Sequence, residues 1–191
     1  MTTTPPDSGR ESPEAPIRAT RPGDAPALAR MHVDAWAETY TGLLPAVALA
    51  EFDVATRRAW WSAQIERGTT RIRIAPGLGF VAMGPQREPR LARRWPDELY
   101  ALYVLRRAHG TGLGRRLLDA VDAGRPFSAL VLDGNARALA FYEKAGGRFV
   151  ERRKLDDGWP DDLLYGWDRT SDQTADHTPD HTAGDGPHHP S

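Results

Sequence analysis

The stretch Leu102-Tyr103-Val104-Leu105-Arg106-Arg107-Ala108-His109-Gly110-Thr111-Gly112-Leu113-Gly114-Arg115-Arg116-Leu117-Leu118 carries the most chemical information in this sequence. An apolar strand pattern gives way to glycines at every second position, and an amphipathic helical pattern follows. Glycines let a backbone approach a ligand closely, and the first amides of a helix have no partner within it. A strand, a glycine-rich turn and a helix in that order make an anion site, most naturally for phosphate. Arg115 and Arg116 fall in the first helical turn, where the helix dipole disfavours a cation by about 0.3–1 kcal/mol each. A bound anion reverses that penalty, although a glycine-rich loop with two solvated arginines has the same sequence. The spacing GxGxG departs from the dinucleotide pattern GxGxxG because the third position falls on Arg115. It departs from the P-loop pattern because no Lys-Ser or Lys-Thr follows.

A second chemistry-bearing segment is Asn135-Ala136-Arg137-Ala138-Leu139-Ala140-Phe141-Tyr142-Glu143-Lys144-Ala145-Gly146, about 20 residues downstream with a strand pattern between. Together the two segments resemble GNAT-type N-acetyltransferases. The first is similar to that family's motif A, Arg/Gln-x-x-Gly-x-Gly/Ala, which falls here on His109-x-x-Gly112-x-Gly114. The resemblance covers 16–169 and implies acetyl-CoA as co-substrate, without a metal. It implies that the pyrophosphate lies on His109, Gly110, Thr111, Gly112, Leu113, Gly114 and Arg115. The backbone at Tyr103, Val104 and Leu105 would hold the pantetheine arm and stabilise the oxyanion. Asn135 can cap its helix or, as in the family, hold that arm. Tyr142 matches the family's helix tyrosine, the general acid for the departing thiolate, and Glu98 matches the catalytic glutamate of the histone-acetylating branch.

The implied reaction is direct attack by a primary amine in a ternary complex. For an amine of pKa about 10.4, deprotonation at pH 7 costs about 4.6 kcal/mol, so Glu98 is the expected base, directly or through water. The chain has no cysteine, which excludes an acetyl-cysteine intermediate. The family's usual Arg or Gln is His109 here. An ordinary imidazole titrates near about 6.5. If the ring meets the pyrophosphate, the apparent KM for acetyl-CoA rises between about pH 6 and 8 and His109→Arg flattens the rise. His32, Trp36 and Tyr40 recur at i, i+4 and i+8. They read either as core or, since the family's first helices line the acceptor pocket, as an aromatic wall for the amine.

The elements that must position these residues follow from period and punctuation. Asp24 is placed to cap a helix carrying Leu28, Met31, His32, Ala35 and Trp36. A second helical region follows Pro45, with Asp53 capping its later part and Gly68 ending it. Arg71–Ile74 and Phe80–Met83 read as a hairpin around Pro76-Gly77-Leu78-Gly79. After a polar segment containing Pro85, Pro89 and Pro96 come a strand over Glu98–Leu105, a helix from Gly112 to about Ala123 and a strand over Phe127–Leu132. A helix over Ala136–Ala145 and strands over Arg148–Leu155 and Leu163–Trp167 close the domain. In the long strand, alternation puts Glu98 on the face of Tyr100, Leu102 and Val104. The expected fold is a single α/β domain, a GNAT-like mixed, mostly antiparallel twisted sheet of about 6–7 strands flanked by about 4 helices, with a parallel pair at the strand–helix–strand unit.

Composition bounds the rest. At 40% hydrophobic and 27% charged over 191 residues, the chain is globular in type. Residues 1–15 and 170–191, Pro-, Ser-, Thr-, Gly- and Asp-rich, read as disordered tails, the second acidic and holding His177, His181, His188 and His189. Between them 24 basic residues meet 19 acidic ones, a net of +5. That excess suits an anionic cofactor, and no groove-reading helix supports nucleic-acid binding. The longest apolar run, Leu43–Ala50, contains a proline, far from the roughly 20 residues that span a bilayer, and no secretory signal opens the chain. The expectation is a cytoplasmic enzyme acting on a small-molecule or peptide amine, with no membrane or nucleic-acid partner. The resemblance leaves a homodimer open. The rival reading is a catalytically silent module that holds CoA or acyl-CoA.

Overall fold

The computed structural model describes residues 16–155 and 159–168. Both predicted tails, the tail histidines and Asp156-Asp157-Gly158 lie outside the described residues. In chain order the elements are β1 (Arg18–Ala19), α1 (Ala25–Tyr40), α2 (Ala46–Ala50), α3 (Val54–Arg67), β2 (Arg71–Ala75), β3 (Gly79–Pro85), α4 (Pro89–Ala92), β4 (Asp97–Val104), α5 (Leu113–Asp119), β5 (Phe127–Leu132), α6 (Ala136–Lys144), β6 (Arg148–Arg153) and β7 (Asp162–Trp167). The four expected helices are α1, α3, α5 and α6. The short α2 and α4 and the two-residue β1 are additional, and α5 stops at Asp119 rather than near Ala123.

Local chemistry explains most boundaries. Asp53 accepts from the N–H groups of Ala55 (2.7 Å) and Thr56 (3.0 Å), so α3 starts there, and Gly68 at φ 66 ends it. Asp24 sits at the start of α1 but does not cap it. Its carboxylate takes the Arg18 guanidinium (2.6 and 2.8 Å) and the N–H of Arg21 (2.7 Å), tying β1 to the helix entry.

The strands form one sheet in the order β1-β2-β3-β4-β5-β7-β6. Every neighbouring pair is antiparallel except β4 and β5, as a strand–helix–strand crossover requires. One face carries Val81, Leu99, Ala129, Val131 and Tyr165 under α5 and α6. The other carries Ile72, Ile74, Phe80 and Ala101 under α1 and α3. Beside β5 and β7 that second face is covered by α4, through Leu91, Trp95 and Leu164.

Strand β4 has two irregularities. The register with β3 slips between Ala82 and Met83, which face Ala101 and Leu99, so Tyr100 is an extra residue in β4. This bulge reverses the alternation. Leu99, Leu102 and Val104 face α5, whereas Tyr100, Ala101 and Tyr103 face α1 and α3. The expectation that Glu98 shares a face with Leu102 and Val104 is therefore corrected: it lies on the face of Tyr100. The parallel ladder with β5 also runs only through Asp97↔Phe127, Glu98↔Ser128 and Leu99↔Ala129. Beyond Leu99 the two strands part.

Candidate functional site

The glycine-rich turn has the expected form. Gly110 and Gly112 have φ of 78 and 77, a region in which an L-residue is strained by about 1–2 kcal/mol. Thr111 between them donates its hydroxyl to Ala108 O at 2.8 Å. Among the described residues, the N–H groups of Gly110, Thr111, Gly112, Leu113 and Gly114 have no hydrogen-bond acceptor, while those of Arg115 and Arg116 bond Gly112 O. Five successive free donors are the hydrogen-bonding complement of an anion. A Cβ on Gly114 would lie 3.3 Å from the Phe141 ring, so glycine here lets α6 cross close to the start of α5. Arg115 is held by Asp119, one turn along its own helix, at 2.9 and 3.0 Å. Its charge is thus offset without a ligand, which removes the sequence argument that an anion is needed to compensate it.

Where β4 leaves β5, it keeps its pairing on the β3 side. Leu105 N–H bonds Leu78 O at 2.8 Å, and Leu105 is buried against α1 and α3. Its amide is not free for a ligand, contrary to expectation. By alternation, Val104 presents its N–H and C=O to the edge that β5 has vacated. Nε2 of His109 lies 2.8 Å from Val104 O, and since a carbonyl only accepts, this nitrogen carries the hydrogen. The ring braces the free strand end, leaving Nδ1 as its only uncommitted nitrogen.

Three phenols meet at this opening. Tyr40 at the end of α1 and Tyr103 of β4 have hydroxyls 3.5 Å apart, and the Asn135 side chain lies close enough to influence the Tyr40 hydroxyl. Asn135 Oδ1 accepts from Ala138 N–H at 3.2 Å, so this residue caps α6 as well. Tyr142 comes from α6, its ring 5.3 Å from Trp167 in a T-shaped contact. Burial first, and the neighbouring Tyr40 second, raise the Tyr142 phenol above its ordinary value. Burial likewise raises Tyr40 and Tyr103. All three stay protonated at any working pH.

Glu98 is elsewhere on β4, where the strands are still paired. It is buried and accepts from Arg87 three times: from the backbone N–H at 3.1 Å, from Nε at 3.0 Å and from Nη2. It shares no hydrogen bond with Tyr142. The two lie on opposite faces of the sheet, Glu98 one residue before the ladder between β4 and β5 ends. Arg87 is in the proline-rich segment that offered no pattern in sequence. Only its excess of arginine near a strand-start glutamate hinted at a partner.

A family model described as "Acetyltransferase (GNAT) domain" matches residues 58–146, from within α3 to the end of α6. The segment that carries both motifs is similar to the GNAT acetyltransferases. The GNAT fold extends beyond the matched segment. The PaiA N-acetyltransferase from Thermoplasma acidophilum, solved in complex with coenzyme A, superposes with a TM-score of 0.65 at 17% identity, over 81% of this chain and 98% of that one. The ribosomal-protein-alanine N-acetyltransferase from Brucella melitensis gives 0.60 at 26% identity, over 80% and 99%. A Mycobacterium tuberculosis protein named "Probable N-acetyltransferase Rv2775" is 29% identical over 67% of this chain and 76% of its own length. No helix among the described residues is long and apolar enough to cross a membrane.

Outside the GNAT motifs, α1 does gather His32, Trp36 and Tyr40, with partners the sequence did not reveal. The His32 ring centre lies 4.8 Å from Phe52, 5.6 Å from Trp61, 5.3 Å from Phe80 and 5.1 Å from Tyr103. Trp36 stacks on Phe52 at 4.2 Å and meets Tyr40 at 4.4 Å. His32 and Tyr40 are buried, whereas Trp36 is half-buried and forms the outer part of the wall. Burial, assisted by the charge of Arg57, lowers the His32 pKa from 6.5 to about 3. The unfolded chain therefore takes up a proton near pH 6.5 that the native protein refuses until about pH 3. Stability from this group is complete above pH 6.5 and is lost as pH falls, by about 1.4 kcal/mol per pH unit. Denaturant melts should lose about 2 kcal/mol between pH 6.5 and 5, above the range of ordinary carboxylates, and His32→Phe should remove most of that slope. Equal slopes in the two proteins would mean that His32 is charged in the native state.

Proposed function

We propose that this protein moves an acetyl group from acetyl-CoA to the primary amine of a small molecule or peptide, by direct attack in a ternary complex. The observation that carries the reading is the continuity of free donors, from the five unbonded N–H groups at Gly110–Gly114 to the vacated edge of β4 at Val104. A ligand with an anionic diphosphate at one end and an amide-bearing arm at the other fits that course. The complex of the PaiA relative with coenzyme A supports it. When bound, acetyl-CoA supplies an activated thioester.

The residues then divide the work. The turn amides hold the diphosphate, and the Val104 N–H donates to the acetyl oxygen as negative charge builds there. Glu98 takes a proton from the ammonium, directly or through water, so that the amine nitrogen can form its bond to the acetyl carbon. As the C–S bond breaks, the Tyr142 O–H hydrogen-bonds to the departing sulfur, and the second proton of the attacking nitrogen passes to that sulfur, which leaves as the thiol. Since an alkyl thiol titrates near about 8.5 and burial holds the phenol higher, its contribution is a hydrogen bond to the developing thiolate. His32, Trp36 and Tyr40, with Phe52, form the aromatic side of the acceptor's approach. His109 braces β4 rather than neutralising phosphate, so the KM for acetyl-CoA should vary little between about pH 6 and 8.

One observation favours the silent-module reading: both oxygens of the expected base are held by Arg87. Calorimetric titration with acetyl-CoA, combined with thiol release across a panel of amines, separates the two. Binding with amine-dependent CoA release is expected. Tight binding with no release from any amine would establish the module, and absence of binding would remove both readings.

A further inference from the structure

We infer that the Glu98 carboxylate and the face of Tyr100 form a cation subsite for the acceptor, taking a guanidinium or alkylammonium group, and that Arg87 fills it in the free protein as a displaceable stand-in. The inference rests on Glu98 facing the acceptor, as proposed above.

The site has a fixed half and an exposed half. Glu98 comes from the interior of the sheet, with 6% of its side chain exposed. Tyr100 is the extra residue of the β4 bulge, and its hydroxyl donates to Pro85 O. Its ring lies flat on Gly84, where a Cβ would stand 2.8 Å from it. Any residue other than glycine at 84 would push this platform away. The Arg87 guanidinium carbon lies 4.4 Å from the Tyr100 ring centroid, a cation–π distance. Yet 60% of the Arg87 side chain remains exposed. A buried carboxylate beside a fixed aromatic face defines the site, and the cation in it reaches in from solvent.

Exchange is chemically feasible because it replaces like with like. Removing the partner of a buried carboxylate outright is strongly unfavourable. Substituting one cation for another leaves Glu98 paired throughout, and the Arg87 backbone N–H, at 3.1 Å, stays in place while the side chain leaves. Room lies alongside. Arg87 and Glu98 border a cleft of about 260 Å³ floored by Leu91, Leu130 and Leu164, so an incoming cation on an aliphatic stem finds apolar surface for the stem. The acceptor's affinity is then reduced by the fraction of time that Arg87 occupies the site.

The test compares wild type with Arg87→Ala and Arg87→Gln, the second retaining a hydrogen-bond donor should the first not fold. Methylguanidinium is the probe, titrated at millimolar concentration by calorimetry and by thermal shift. It should bind either variant at least tenfold more tightly than wild type, since Arg87 occupies the site about nine parts in ten or more, and Glu98→Gln in the variant background should abolish the gain. With acetyl-CoA saturating, KM for the amine should fall by a similar factor while kcat stays within about twofold. Binding no tighter than in wild type would overturn the stand-in. So would a lowered kcat with raised KM, which would make Arg87 a positioning residue for Glu98. Glu98→Gln alone retaining full kcat would instead remove the base role and leave the cation subsite to be judged by the methylguanidinium titration.

Discussion

Replacing Tyr142 with phenylalanine lowers kcat about 100-fold and leaves the KM for acetyl-CoA unchanged, the expected loss for a positioned proton or hydrogen-bond donor acting on the leaving group. The ring keeps its T-shaped contact with Trp167, so the fold tolerates the change and the loss is confined to the hydroxyl. Two features separate this role from a packing role. Burial and the neighbouring Tyr40 hold the phenol above its ordinary value, so wild-type kcat should show no falling limb from this group up to about pH 10. A thioester whose thiol is more acidic needs less help in leaving, and the variant should regain much of its rate with such a substrate. An unchanged kcat in Tyr142→Phe would remove the hydroxyl from the reaction.

The second large effect concerns the wall behind α1. Trp61 is fully buried, packing edge-on against Phe80 at 5.3 Å and tilted against His32 at 5.6 Å. Trp61→Ala should cost about 3–5 kcal/mol in denaturant unfolding, as large-to-small changes of buried aromatics do. Trp61→Phe should cost far less than its lost volume suggests. The indole N–H is buried with no acceptor, and its removal recovers about 1–3 kcal/mol of desolvation. Equal losses in the two variants would show that the N–H has a partner in solution.

Much of this was legible in the sequence, for reasons that are local. The turn at Gly110–Gly112 needs left-handed residues, and only glycine takes them freely. Gly68 and Asp53 mark helix ends by the same local chemistry. What could not be read depended on which partner each group takes, some distant in the chain and some within a turn or two. The bulge at Tyr100 arises from pairing with β3, so alternation along β4 alone assigned Leu102 and Val104 to the wrong face. The amide of Leu105 is taken by Leu78, and the His109 ring turns to a carbonyl five residues back. Arg115 reads as an unpaired cation from the motif alone, whereas its partner Asp119 stands one turn along the helix. Asp24 has the position of a cap, while Arg18 and Arg21 decide what its oxygens do.

The brevity of the β4–β5 ladder has a consequence for rigidity. Past Leu99 and Ala129, nothing in the hydrogen-bonded framework ties residues 100–104 to residues 130–132, and the sheet behaves there as two plates meeting along a short seam. Whatever lies between the plates completes the framework. A ligand at that seam acts as a keystone, and amide exchange in both strands should slow together when it arrives.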